Sequence, residues 1–134
     1  MNKLYRFGVS IEKDLIDRFD KHIKEKKYKN RSEAICDLIR NELVKKEWDK
    51  NGIVSGAIVM TYNHNKRELV GSILDIQHDF HDIIISTQHV HLTHDLCLEI
   101  IAFKGNSKKI KNLASLLQSK KGVQHLNYSF SLAK

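Results

Sequence analysis

Residues 5–39, YRFGVSIEKDLIDRFDKHIKEKKYKNRSEAICDLI, decide the fold. The stretch opens on alternation: Tyr5, Phe7, Val9 and Ile11 point to one side of a strand, and Arg6, Gly8 and Ser10 to the other. From Glu12 the period becomes helical, with Leu15, Ile16, Phe19 and Ile23 along one stripe of a helix predicted over about 12–27. The polar run from Lys26 to Asn30 interrupts it. Asn30 followed by Glu33 has the spacing of a capping box, so a second helix opens there. Its stripe is Ile35, Leu38, Ile39 and Leu43, and it is predicted to run to about Trp48.

One strand and two short helices cannot close a core alone, so their apolar faces call for a second copy. The lone strand then pairs with its mate as a two-stranded ribbon. Such a ribbon fits the major groove of B-DNA and turns its outward side chains to base edges. Those outward positions are Arg6, which can bond guanine, Gly8, which offers only backbone, and Ser10. The start of the second helix, at Arg31 and Ser32, presents free backbone N–H groups suited to a phosphate. This strand-helix-helix order, with its basic charge and the Asn30-Arg31-Ser32-Glu33-Ala34 turn, resembles the ribbon-helix-helix superfamily. That resemblance implies a dimer that binds operator DNA.

Composition agrees with a DNA partner without naming one. The chain has 134 residues, a formal net charge of +7 and a sequence pI near 9.4, and the basic excess is spread over both halves. Hydrophobic residues make up 41%, enough for a globular core. No apolar run is long enough for a membrane span, and the opening MNKLYRFGVS is unlike a signal peptide, so a cytoplasmic protein is expected. Two cysteines, Cys36 and Cys97, are too few for a disulfide framework.

Asp49-Lys50-Asn51-Gly52 reads as a linker. Beyond it the pattern predicts a strand at 53–62, a helix at 66–78, strands at 83–92 and 96–103, a helix capped by Asn106 or Ser107, and a last strand at 123–132. The order βαββαβ is the split arrangement of ferredoxin-like domains. The expectation is therefore an α+β chain, a DNA-binding module over 1–49 and a second domain over 52–134.

Histidine usage sharpens the second domain. His78, His81, His89, His91 and His94 crowd into one stretch that also holds Cys97. His89 and His91 are two apart on a strand, so both imidazoles leave one face. Cys97 follows across the turn Thr93-His94-Asp95 and can sit beside His91 in a hairpin. His78, at the end of the preceding helix, can add a fourth donor from the same chain or a neighbour. Three imidazoles and a thiolate suit zinc when tetrahedral, and nickel(II) or copper(II) when square-planar. His22, His64 and His125 read as ordinary surface histidines.

The combination is specific. The segments Asn30-Arg31-Ser32-Glu33-Ala34-Ile35, Gln77-His78, His89-Val90-His91, His94-Asp95 and Cys97-Leu98-Glu99-Ile100 together resemble the NikR family of nickel-responsive transcriptional regulators. The resemblance spans nearly the whole chain and implies an ACT-type second domain. It further implies a homotetramer, a dimer of dimers, binding one nickel(II) per subunit in square-planar geometry. His89, His91 and Cys97 would come from one subunit and His78 from another. Gln77 and Glu99 match positions that support the site, and Tyr62 one that packs near it. Glu33 and Asp37 match positions for a second cation, and Lys66 and Arg67 match positions that meet the DNA backbone. Two departures stand out: Gly8 replaces a mid-strand side chain, and His78-Asp79-Phe80-His81 keeps two histidines where some relatives have more.

The resulting expectation is a nickel-responsive repressor of nickel-uptake or metal-homeostasis genes. A ribbon-helix-helix repressor or antitoxin sensing another metal or a small molecule is the alternative. An enzyme is not expected, since the sequence shows no nucleophile and base pair, open catalytic metal site or glycine-rich phosphate loop.

Overall fold

The computed structural model describes residues 3–132. Contacts divide the chain into two compact units that meet at Asn41 and Glu42, inside the second helix.

In the first unit, α1 spans Lys13–Glu25 and α2 begins at Arg31. The turn between them is a Schellman motif: Tyr28 N–H reaches the Ile23 carbonyl at 3.1 Å and Lys27 N–H the Lys24 carbonyl at 3.2 Å. Lys27 occupies the left-handed position, at φ 60°. Asn30 caps α2 by accepting from the Glu33 N–H at 2.9 Å. The Glu33 carboxylate reaches back to the Lys29 N–H at 3.3 Å, one residue beyond the partner an ideal capping box would use.

The strand expected at 5–11 is not formed within the single chain: residues 3–12 are neither helix nor strand. A strand exists only through its ladder, and no other strand of the first unit stands beside it. Its apolar set is accordingly exposed, Tyr5 by 88% and Phe7 by 70%. Leu38 and Ile39 of α2 are also about half exposed, at 53% and 49%. These are the faces the sequence assigns to a second copy.

In the second unit the elements are β1 (Ile53–Asn63), α3 (Arg67–Asp79), β2 (Ile84–His91), β3 (Leu96–Asn106), α4 (Ser107–Ser119) and β4 (Val123–Leu132). They form one sheet of order β2-β3-β1-β4, antiparallel throughout, which is the expected split βαββαβ topology. Alternation is clean on the central strands. Ile58, Met60 and Tyr62 of β1 and Ile101 and Phe103 of β3 are fully buried with Ile73 of α3 and Ile110, Leu113 and Leu117 of α4. Each such side chain contributes about 1.5–3 kcal/mol by leaving water.

The last turn of α2, which ends at Asp49, is part of this second core. Trp48 stacks on Phe130 with ring centroids 4.2 Å apart, and the Ser107 hydroxyl donates to the Trp48 carbonyl at 2.7 Å. This packing draws the unit boundary into α2, earlier in the chain than the turn at 49–52. No helix among the described residues is long and apolar enough to cross a membrane.

Candidate metal centre

The β2–β3 hairpin builds the centre. Its register sets His91 opposite Cys97 and His89 opposite Glu99, and β1 adds Tyr62 opposite Cys97 on the other side. Directly opposed residues share a face, so all five side chains leave the sheet on the side that α3 and α4 cover. Cys97 is buried and Glu99 is fully so, whereas His89 keeps 46% of its side chain exposed.

His89 lies at the middle. Its Nδ1 is 3.6 Å from the Cys97 sulfur and 3.4 Å from the Tyr62 hydroxyl. Its Nε2 is 2.7 Å from Glu99 Oε1. Apart from that contact the Glu99 carboxyl group has no hydrogen-bond donor, and the buried Gln77 Nε2 on α3 lacks an acceptor. Burial first, then the neighbouring Glu99 and Cys97, pushes the Tyr62 phenol well above its ordinary value and keeps it a neutral hydroxyl.

His78 is placed apart from these. It sits near the end of α3, exposed, with its ring stacked against His81 at 5.9 Å between centroids. His81 is fixed by a 2.9 Å bond between its Nδ1 and the His78 carbonyl. Among the described residues of one chain, no three His, Cys, Asp or Glu side chains are gathered to hold a metal. The donor types nonetheless fit nickel: two imidazoles and a thiol on one hairpin, with a third imidazole presented to solvent.

His64, read as a surface histidine, is partly exposed beside the hairpin turn: its ring meets that of His91 edge to face at 4.7 Å, and its Nε2 lies 2.7 Å from the His94 carbonyl. No spacing along the chain points to this contact, because it depends on β1 lying next to β3. Asn63 pairs with Leu96, which carries His64 to the hairpin turn.

The expected DNA positions fall in both units. Arg6, Gly8 and Ser10 lie in the exposed segment before α1, and Gly8 has open space where a side chain would stand. Ser32 is exposed in the first turn of α2. Arg31 is engaged, forming a bidentate pair with Asp20 through Nε at 2.9 Å and Nη2 at 2.8 Å. That hydrogen bond holds the Asp20 carboxyl below its ordinary value. Lys66 is the N-cap of α3 and Arg67 its first residue, both exposed.

The second-cation positions are also partnered. Asp37 accepts from the Tyr28 hydroxyl, and Glu33 serves the α2 cap. The bond to Asp37 raises the Tyr28 phenol above its ordinary value.

Comparison with known proteins places this geometry in context. Residues 55–131 match the family profile of the NikR C-terminal nickel-binding domain, and residues 5–46 that of ribbon-helix-helix proteins of the copG family. A protein of Chlorobaculum parvum is 59% identical over 133 residues, covering 99% of each chain. One of Syntrophus aciditrophicus is 54% identical over 131 residues, covering 98% of this chain and 96% of its own. Both carry the words nickel-responsive regulator in their names. Among solved structures, the uncharacterized protein TM1266 of Thermotoga maritima matches 58% of this chain and 96% of its own, with a TM-score of 0.54. At 11% identity that likeness speaks for fold alone.

Proposed function

Since this chain belongs to the NikR family of nickel-responsive regulators, we propose that nickel(II), one per subunit, is held by His89, His91 and Cys97 of one subunit and His78 of another. The protein is a regulator and not an enzyme, and it binds nickel through its second domain. The observation that supports the residue assignment is the hairpin register, which sets His91 opposite Cys97 and His89 two residues along the same strand, while His78 lies exposed near the end of α3.

The working unit in this reading is a homotetramer in which ribbon-helix-helix modules (1–49) pair on double-stranded operator DNA and ACT-type domains (52–134) form the core. Arg6, Gly8 and Ser10 face the bases; Ser32, Lys66 and Arg67 meet the backbone, as does Arg31 when released from Asp20. Glu33 and Asp37 would take a second cation through the carboxylate oxygens not already used by the Lys29 N–H and the Tyr28 hydroxyl. Nickel supplies a bond network that exists only when ligands of two subunits converge. It therefore shifts the population towards that arrangement by its differential affinity, and no further. Tyr62 keeps its proton beside the thiol, and the buried Glu99 carboxyl group lies against His89. Repression of nickel-uptake or metal-homeostasis genes by the nickel-loaded form follows from this switch in a cytoplasmic protein.

Subunit mixing tests the shared site. Separate His78→Ala and Cys97→Ala proteins should each lose high-affinity nickel binding. Mixed, dissociated and reassembled, they should regain sites built from His78 of one chain and His89, His91 and Cys97 of the other. The thiolate absorption band of the nickel-loaded protein reports this. No recovery on mixing would place all four donors in one chain or discard the set.

A further inference from the structure

We propose that Asp20 restrains the hold of this protein on DNA of any sequence, by keeping the Arg31 side chain from backbone phosphates. The inference rests on the regulator reading and adds to it a residue that limits contact rather than making it.

Arg31 is the first residue of α2, and its side chain turns back to α1. Its Nε donates to Asp20 Oδ1 at 2.9 Å and its Nη2 to Asp20 Oδ2 at 2.8 Å. Both carboxylate oxygens and one edge of the guanidinium are thereby used. The guanidinium fork fits a carboxylate and a phosphate alike, so Asp20 occupies an edge that a phosphate would take.

The exposed side of α1 reserves Asp20 for this partner. Lys13, Asp17, Asp20 and Lys24 follow one another at four, three and four residues, which sets them along one stripe of the helix. Lys13 pairs with Asp17, and Lys24 forms no ion pair among the described residues. Asp17 adds a further attraction for the Arg31 charge, which holds the guanidinium towards α1.

A cation that meets one phosphate contributes about 0.9 to the slope of log affinity against log salt. In the pair with Asp20 the charge of Arg31 is balanced, so it draws no phosphate and releases no counterion. Phosphate contacts carry no sequence information. Holding Arg31 back therefore lowers binding to every duplex and leaves a larger share of the affinity to base contacts. The pair is solvent-exposed, Arg31 by 59% and Asp20 by 39% of their side chains, and such pairs are weakly held in water. The α1–α2 turn closes through its own backbone bonds, so the pair can be removed without opening it.

The test uses the full nickel-loaded protein and a mixed-sequence DNA duplex, with affinity followed by fluorescence anisotropy across a salt series. Asp20→Asn should bind more tightly at low salt and steepen the slope by up to about 0.9 for each subunit on the duplex. Circular dichroism and the nickel absorption spectrum should stay those of the wild type. Adding Arg31→Gln to Asp20→Asn should abolish the gain. Asp14→Asn makes the same charge change in the first turn of α1, at a residue with no ion pair among those described, and should keep the wild-type slope. Weaker binding by Asp20→Asn would mean that Asp20 aims Arg31 at the phosphate, and overturns the restraint. An equal gain in Asp14→Asn, or a gain that survives loss of Arg31, assigns the effect to net charge and overturns it as well. Wild-type protein that ignores the duplex at every salt concentration overturns the DNA reading itself.

Discussion

His91 is the register partner of Cys97 across the β2–β3 ladder, so an imidazole and a buried thiol stand as direct neighbours on the helix-covered face of the sheet. This pairing follows from the turn at Thr93-His94-Asp95, where the Thr93 hydroxyl accepts from the Leu96 N–H at 3.0 Å and Leu92 N–H bonds the Leu96 carbonyl at 2.9 Å.

The first expectation concerns that thiol. Cys97→Ala should remove the thiolate absorption band on nickel addition and lower nickel affinity by at least 100-fold, about 2.7 kcal/mol. Circular dichroism should stay that of the wild type, because alanine fills most of the same buried space. Retained affinity in a folded variant would remove Cys97 from the ligand set.

Asp20 gives a pH expectation. The Arg31 hydrogen bond lowers its carboxyl below the ordinary 3.8. A carboxylate depressed in the folded state adds stability above its unfolded value, and that stability is lost as pH falls through the folded one. Stability should therefore drop on acidification below about pH 4, and Asp20→Asn should flatten that part of the profile. The pair is solvent-exposed, so the effect is small and weakens with added salt. NMR titration of the Asp20 carboxyl at or above 3.8 would contradict it.

Trp48 anchors the end of α2 in the second core. Truncation to alanine removes a buried indole stacked on Phe130 and should cost about 3–5 kcal/mol in chemical denaturation of the metal-free protein. A loss under about 1 kcal/mol would mean the indole is not packed as described.

Lys27 holds a left-handed conformation that penalises any side chain with a Cβ. Lys27→Gly should raise the stability of the ribbon-helix-helix module by about 0.5–1 kcal/mol, since relieved strain exceeds the entropy glycine adds to the unfolded chain. A fall in denaturation midpoint would contradict the assignment of that turn.

Much of the site was legible before any coordinates. His-x-His on a strand and a cysteine across a short turn are local patterns, and the ladder then sets them together. Arg31 was less legible. Its place in the first turn of α2 pointed to backbone N–H groups suited to a phosphate and said nothing of its side chain, which Asp20, eleven positions away, reaches only once the α1–α2 turn closes.

Legible along the chain were the order of elements, the alternating core of the second domain, the α2 cap at Asn30 and the hairpin that carries His89, His91 and Cys97. Those depend on period, capping chemistry and turn residues, all of which act within a few positions. Tertiary structure alone decided the rest: Glu99 buried beside His89, Tyr62 brought opposite Cys97, and His64 laid against His91. Each of these joins strands or helices distant in the chain, and only the β2-β3-β1-β4 sheet order and helix packing bring them within reach.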